Sequence, residues 1–271
     1  MKQEKNVMPY SPDWPKQFES IEKQIRPALK ESFVAIHHVG STSVPDLAAK
    51  PIIDIIAEVK HLSFDHAPLL KLNFAYRGGF GLPFRKSFTY RSNDLNVNLH
   101  VFEHDDPEVE LNLMLRDHLR KDTADREAYE QLKYRLASDE ECDKKNGSLY
   151  RKYTLDKHPF LEDILKKLGF DRQRLVLCAH YADWNGARAM RLKYCPLESK
   201  EISNDTQHTH LVFYKATTVI GYVHVEFKSR EKTKIHTLVI DHPYQNLGYE
   251  KELKRLIEKW LKIKLKGESD A

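Results

Sequence analysis

Apolar positions along the chain alternate between helical and strand spacing, and the changes of period mark out the elements. From Ser11 the pattern is helical. Ser11 suits an N-cap, Pro12 suits the first helical position, and Phe18, Ile21 and Ile25 fall on one face. Pro27 is expected to kink or end that helix. The run Phe33 to Val39 predicts a strand, followed by a Gly-Ser-Thr-Ser turn at 40–43 and, beyond Pro51, a second strand over Ile52 to Val59. Gly78-Gly79-Phe80-Gly81 marks a turn before a polar-aromatic strand around Lys86 to Arg91. Over Asn96 to Phe102, Val97, Leu99 and Val101 alternate with Asn98 and His100, which predicts a strand with one polar edge.

The period then becomes helical again. Asp106-Pro107 is a capping signal for a helix with Leu111, Met114 and Leu115 inward, and Tyr129, Leu132 and Leu136 predict the apolar face of the next. Lys133, beside Leu132, is expected to face solvent. The charged stretch 139–148 reads as a loop. Phe160 to Leu168 predicts another helix, with Gly169 as its left-handed C-cap. A domain boundary is placed here, giving domains at 1–168 and 172–271. The second contains strands at Leu211 to Lys215, Val219 to Phe227 and Ile235 to Ile240, and a basic helix from about Leu247 to Leu265.

Composition narrows the class. In 271 residues, 41% are hydrophobic and 31% charged, which suits a soluble globular protein. No apolar run is long enough to span a bilayer, and the N-terminal residues lack the apolar core of a secretory signal. Cys142, Cys178 and Cys195 lack metal-ligand spacing and read as reduced thiols of a cytoplasmic protein. A net charge of +4 permits anionic ligands without demanding nucleic acid.

The candidate chemistry is concentrated in His37-His38-Val39-Gly40-Ser41-Thr42-Ser43-Val44-Pro45 and the following Lys50-Pro51-Ile52-Ile53-Asp54-Ile55. A Gly-Ser turn after a strand presents amides and hydroxyls to phosphate oxygens. Asp54 lies in an Ile-rich strand, where a carboxylate is costly without a cation. Mg²⁺ is one candidate partner, and Mn²⁺ another, because such ions combine carboxylate oxygens with substrate phosphates. A buried Arg85, Arg91 or Arg116 is the alternative. Lys50 is placed to neutralise phosphate charge. Arg85, next to Phe84, suits a base or a phosphate, or else a solvated edge strand. Arg116 with Asp117 suits an anion, or else a surface ion pair.

His-Val-Gly-Ser-Thr-Ser-Val-Pro-Asp-Leu-Ala-Ala-Lys-Pro-Ile-Ile-Asp-Ile resembles the signature of the GrpB (UPF0157) family. So do Pro9 to Trp14, Asn98 to Val101, Leu115 to Arg120 and Tyr129 to Ala137. The likeness covers roughly the first 168 residues. It implies an α/β (α+β) nucleotidyltransferase-like mixed sheet with helices, with Gly40, Ser41 and Thr42 in the phosphate-binding turn and Asp54 as the first metal-binding acid. It also implies a phosphorylated small molecule or nucleotide as ligand. The superfamily pattern departs here in two places. The second acid is replaced by Ile56, and Glu58 lies roughly 13 Å away at strand rise. On the later strand, where a third acid is expected, the polar residue is His100, assigned with Asp54 and Lys50 to the catalytic set.

The second piece resembles the GNAT acetyltransferases. Leu211 to Val225 is similar to their central hairpin, and Val239 to Gly248 to their strand and acyl-CoA loop, with Gln245 and Gly248 at the pyrophosphate-binding positions. Glu250 puts a carboxylate where that family has a small residue, and the later strands are missing. Arg230, Lys232 and Lys234 do not rebuild the cleft, so acetyl-CoA binding is not expected and the region reads as a truncated GNAT-like α/β piece. Between 251 and 267 the last helix carries seven Lys/Arg against two Glu, with Leu253, Leu256, Ile257, Trp260 and Leu261 on one face. That face is expected to pack on its own sheet, with no membrane association. Any apolar surface left open by the truncation suits a homodimer or a protein partner. Three functions stay open: a phosphate- or nucleotide-binding protein acting as a metal-dependent nucleotidyltransferase, a non-enzymatic accessory or ligand-binding module, and an acyl-CoA N-acyltransferase.

Overall fold

A computed structural model describes residues 7–143, 151–179, 181–196, 207–229 and 232–267. Half of the expected 139–148 loop and Arg230 lie outside these residues, and the described half of that loop includes a 3₁₀ turn at Glu140–Asp143. The chain is mixed α/β with two sheets and falls into two compact units. The first is Met1–Phe80, Phe84–Gly147 and Arg151–Gly169, and the second is Gly81–Pro83, Ser148–Tyr150 and Phe170–Ala271.

In the first unit, helix α1 (Asp13–Leu29) precedes strand β1 (Phe33–Val39). Pro27 is accommodated in its last turn, and Trp14, Ile21, Ile25, Ala28 and Leu29 are buried. A 3₁₀ turn at Ser41–Ser43 leads through an ordered loop to β2 (Ile53–Val59). The short helix α2 (Ala67–Lys71), β3 (Ala75–Tyr76), β4 (Arg85–Arg91) and β5 (Asn96–Glu103) follow. The sheet order is β1-β2-β5-β4-β3, with only β2 and β5 parallel. That central pair explains the near-continuous apolar run of β2, where Ile53, Ile55, Ile56, Ala57 and Val59 are all buried. Helix α1 packs on β1 and β2.

Helices α3 (Pro107–Lys121), α4 (Thr123–Ser138), α5 (Lys152–Leu155) and α6 (His158–Lys167) complete the unit. Asp106 caps α3 by accepting the Glu108 N–H at 2.9 Å. A core of Val44, Leu47, Leu119, Tyr129 and Ile164 joins these helices to the loop after β1. Two expectations need correction. Leu111, Met114 and Leu115 are half-buried, and Val109 and Leu119 are the buried residues of α3. This helix touches α4, α6 and β1, so its buried surface is divided rather than a single stripe. Lys133, expected in solvent, is 1% exposed, because the stripe of α4 that turns inward is Tyr129, Lys133 and Leu136.

The second unit is an antiparallel sheet of β6 (Gln173–Leu177), β7 (His208–Lys215), β8 (Thr218–Phe227) and β9 (Thr233–Ile240), in that order. Helix α7 (Tyr181–Tyr194) packs on β7 and β8, and α8 (Tyr249–Gly267) contacts β9. Neither β6 nor α7 stands out in the sequence. Two of the four buried residues of α7 are the charged Asp183 and Arg191, which breaks the apolar period. No helix among the described residues is long and apolar enough to cross a membrane.

Gly221 marks close packing within this sheet. A Cβ there would lie 2.8 Å from Ile240 Cδ1, 3.0 Å from the Val239 carbonyl oxygen and 3.2 Å from Phe213 Cβ. Gly221→Val is therefore expected to lower stability by about 1–3 kcal/mol through overpacking. A denaturant melt showing an unchanged midpoint would contradict this packing.

Candidate functional site

The site is built at one end of the first sheet, where β1 ends and β2 and β5 begin. Val39 pairs with Asp54, and Asp54 pairs with Asn98, so the turn after β1 is carried directly onto the Asp54 side chain. Gly40 has φ +69°, and a Cβ there would lie 2.6 Å from Asp54 Oδ2. Both the left-handed backbone and this close approach require glycine.

Asp54 accepts a hydrogen bond from Asn98 Nδ2 at 2.8 Å, and Asn98 Oδ1 accepts one from Arg91 at 2.7 Å. Burial raises the Asp54 pKa above the usual carboxylate range, opposed by the Asn98 bond and by the charges of Lys157 and Arg91. Tyr129 from α4 bonds with Ser41. Burial and then the Asp54 charge push its hydroxyl up to about 12, with Ser41 opposing. The Tyr129 ring stacks on Phe160 with centroids 5.4 Å apart.

Lys157 and Arg91 act on this carboxylate, and Lys133 and Lys50 lie next to Lys157. Burial lowers Lys157 to about 8, with Asp54 opposing, and lowers Lys133 to about 7, with Lys157 adding to the effect and Glu130 opposing. Lys133 donates to the Ala48 carbonyl and lies 4.8 Å from the Tyr129 ring centroid. Glu130 accepts the Ala48 N–H at 2.8 Å. Lys50 and Lys157 approach the same Tyr153 ring, at 4.0 and 4.6 Å from its centroid.

The residues singled out in the sequence are distributed as follows. Gly40, Ser41 and Asp54 meet, with Lys50 linked to them through Tyr153 and Lys157. Thr42 is buried and turned inward, donating to the Ile52 carbonyl at 3.2 Å and lying 3.0 Å from His38 Nε2. His38 stacks on Phe18 and is lowered to about 4 by burial, then by Arg120 and Arg116. His100 shares the Asp54 face but sits one pleat along β5 from Asn98, 3.4 Å from Ser87 Oγ. Burial and Arg85 lower it to about 3. Arg85 clasps the 78–81 turn through the Gly79 and Phe80 carbonyls, roughly 13 Å along β4 from the Asp54 row at strand rise. Arg116 donates to the His38 carbonyl at 3.2 Å and to Asp117 at 2.7 Å. In the second unit, Gln245 donates to the Ile240 carbonyl at 2.8 Å, and Gly248 lies just before α8.

Sequence reasoning missed Lys133, Lys157, Tyr129 and Tyr153 as site residues. The i, i+4, i+7 spacing of Tyr129, Lys133 and Leu136 was the available signal for Lys133. Nothing around Lys157 distinguishes it from a surface lysine.

Two fits can be tested on the donors present. A two-metal centre needs several carboxylates, yet Ile56 stands two residues along β2 and the cross-strand neighbour of Asp54 is the amide Asn98. Glu58 is engaged elsewhere, 2.7 Å from both His37 Nε2 and His104 Nδ1. With Lys157 and Arg91 already supplying positive charge, the set does not fit a resident Mg²⁺ or Mn²⁺. It does fit an anion, because buried ammonium groups near one another are costly until neutralised.

The buried Lys133 has a consequence for pH. Its pKa is about 7 in the fold against 10.5 when free, so between these values the unfolded chain binds the extra proton. Stability should therefore rise as pH climbs from about 7 towards 10. In Lys133→Met the rise should shrink, leaving the part due to Lys157. Chemical denaturation at several pH values would show it, and parallel profiles for the two proteins would refute the assignment.

Comparison with known proteins agrees with this architecture. The GrpB protein family profile matches residues 4–167. A UPF0157 protein of Halalkalibacterium halodurans is 36% identical over 139 residues, covering 49% of this chain and 70% of the relative. The UPF0157 protein YqkA of Bacillus subtilis is 32% identical over 142 residues, covering 51% of this chain but 41% of that protein. The crystal structure of the conserved protein GrpB from Enterococcus faecalis is 31% identical with a TM-score of 0.51, covering 60% of this chain and 99% of that one. The match spans the whole of the turn, strand and helix framework that builds the site, and the chain belongs to the GrpB family.

Proposed function

We propose that the first unit binds a phosphorylated small molecule, with a nucleotide as the expected class, at the Gly40–Ser41 turn. The observation that supports this reading is the convergence of Lys50, Lys133 and Lys157 on a site with two carboxylates, Asp54 beside Lys157 and Glu130 beside Lys133. Phosphate oxygens would take hydrogen bonds from the ammonium groups and from the turn, and their charge would offset the repulsion between lysines. In this arrangement Asp54 orients Asn98 and tempers Lys157; it is not a metal ligand. The reading is a ligand-binding module, and the alternative from the family's superfamily is metal-dependent nucleotidyl transfer.

Calorimetric titration with inorganic phosphate and with nucleoside mono-, di- and triphosphates, each with and without Mg²⁺, separates the two. A lysine-lined anion site predicts that Lys157→Met weakens binding by about tenfold or more. It predicts that affinity falls as pH passes about 8, where Lys157 loses its proton. Asp54→Asn, by removing a negative charge, should strengthen anion binding without any metal. The transferase reading predicts the reverse, a loss confined to Mg²⁺-containing samples. Binding indifferent to Lys157 would defeat the lysine site.

For the second unit we propose that acyl-CoA chemistry is absent. The Asn246 N–H, which a pyrophosphate would need at the start of α8, donates to Glu250 Oε1 at 3.1 Å. The carboxylate thus occupies the anion position from within the chain. Calorimetry with acetyl-CoA is expected to show no micromolar binding, and a micromolar dissociation constant would overturn the proposal.

A further inference from the structure

The second sheet carries a group of histidines that no part of the proposed function uses. His208 and His210 alternate on β7 and so share a face, and His210 pairs with His224 on β8. A bulge between His224 and Val225 leaves His236 of β9 as an extra residue, since His224 pairs with Thr237 and Val225 with Ile235. The bulge turns His236 onto the face of His224, where the rings stack with centroids 4.8 Å apart. His210 stacks on the other side of His224 at 4.4 Å.

Two pairs of ligand atoms stand out within this row. His208 Nδ1 lies 2.8 Å from His224 Nε2, and His236 Nε2 lies 2.7 Å from Glu226 Oε2. Zinc holds imidazole nitrogens at about 2.0–2.1 Å, so neighbouring ligands of a tetrahedral ion lie roughly 3.3 Å apart. Each pair is within about half an ångström of one edge of such a tetrahedron.

We propose that His208, His224, His236 and Glu226 form a site for a borderline transition-metal ion, with Zn²⁺ as the expected ion. The chemistry matches: imidazole suits Zn²⁺, and one carboxylate lowers the charge of the complex. His210 supports the row from behind, with Nδ1 2.6 Å from the Tyr222 hydroxyl, which in turn accepts from Arg191 at 3.1 Å. Closing the site requires the His236–Glu226 pair to swing towards His208 and His224. Both side chains lie at the surface, 25% and 19% exposed, so rotation does not disturb the core. Lys228, 3.9 Å from Glu226, is the cation the metal would displace.

The test is titration of the full chain with Co²⁺, read by visible absorption. One equivalent should give the intense bands of a four-coordinate ion, and Zn²⁺ should bleach them. His208→Gln and His236→Gln should each weaken binding by about tenfold or more. His118→Gln should leave it unchanged. That control matters because, among the described residues, His118, Asp122 and Asp125 already bring ligand atoms within 4.8 Å of one another, which the sheet group would do only after its swing. Should either sheet variant fail to fold, diethyl pyrocarbonate labelling of the wild-type chain replaces it, with Zn²⁺ expected to protect His208 and His236. Weak six-coordinate bands, binding lost only in His118→Gln, or labelling unaffected by Zn²⁺ would each overturn the site.

Discussion

The connection between β1 and β2 is a long loop with a buried centre, and beyond its local turns and a single bridge between Met8 and Ala49 its backbone polar groups must find partners outside the sheet. Side chains of α3 and α4 provide these. Arg120 donates twice to the Ser43 carbonyl, Glu130 and Lys133 hold the N–H and C=O of Ala48, and Arg116 donates to the His38 carbonyl near the end of β1. The phosphate-type turn at Gly40 is therefore held from the helical side of the unit. Its position against Asp54 follows from the pairing of Val39 with Asp54. Arg116, read from the sequence as an anion ligand, is engaged in this bracing.

Bracing by charged side chains sets the electrostatics of the site. Lys133 must be buried to reach Ala48, and burial lowers its pKa to about 7. Lys157 lies close enough to repel it, and Asp54 is the counter-charge for Lys157. Since burial also raises the Asp54 pKa, that carboxylate is a reluctant anion. In the proposed reading, the balance leaves positive potential at the turn that an external anion would relieve. Asn98 between Asp54 and Arg91 completes the same economy: an amide passes hydrogen bonds along the row where a second carboxylate would have invited a metal.

The second unit divides its sheet differently. One face is apolar, with Leu211, Phe213, Val223 and Val225 fully buried on alternate positions. The other combines Val212, Tyr214 and Tyr222 under α7 with the histidine row. The β8–β9 bulge is what joins β9 to that row, and Glu250 accepts the Asn246 N–H just before α8.

Local periodicity determined a great deal. The bounds of β1 and the alternation in β5 follow from residues that are neighbours in the chain, as do the cap of α3 and the left-handed Gly169. The Gly40–Ser41 turn and Asp54 were also legible, because a strand, a glycine turn and an acid within an apolar strand form a short pattern. What the sequence could not determine was the set of groups brought to that turn from α4, α5 and α6. Lys133 reads as a surface residue until α4 is rotated so that Tyr129 and Leu136 face the core, and Lys157 acquires meaning only beside Asp54. Likewise, four histidines scattered over three strands become one row only through strand register and a single bulged residue. The physical reason is the same in each case: hydrophobic period reports which way a segment faces, whereas charge burial and ligand spacing depend on distances between segments far apart in the chain, which only the tertiary packing sets.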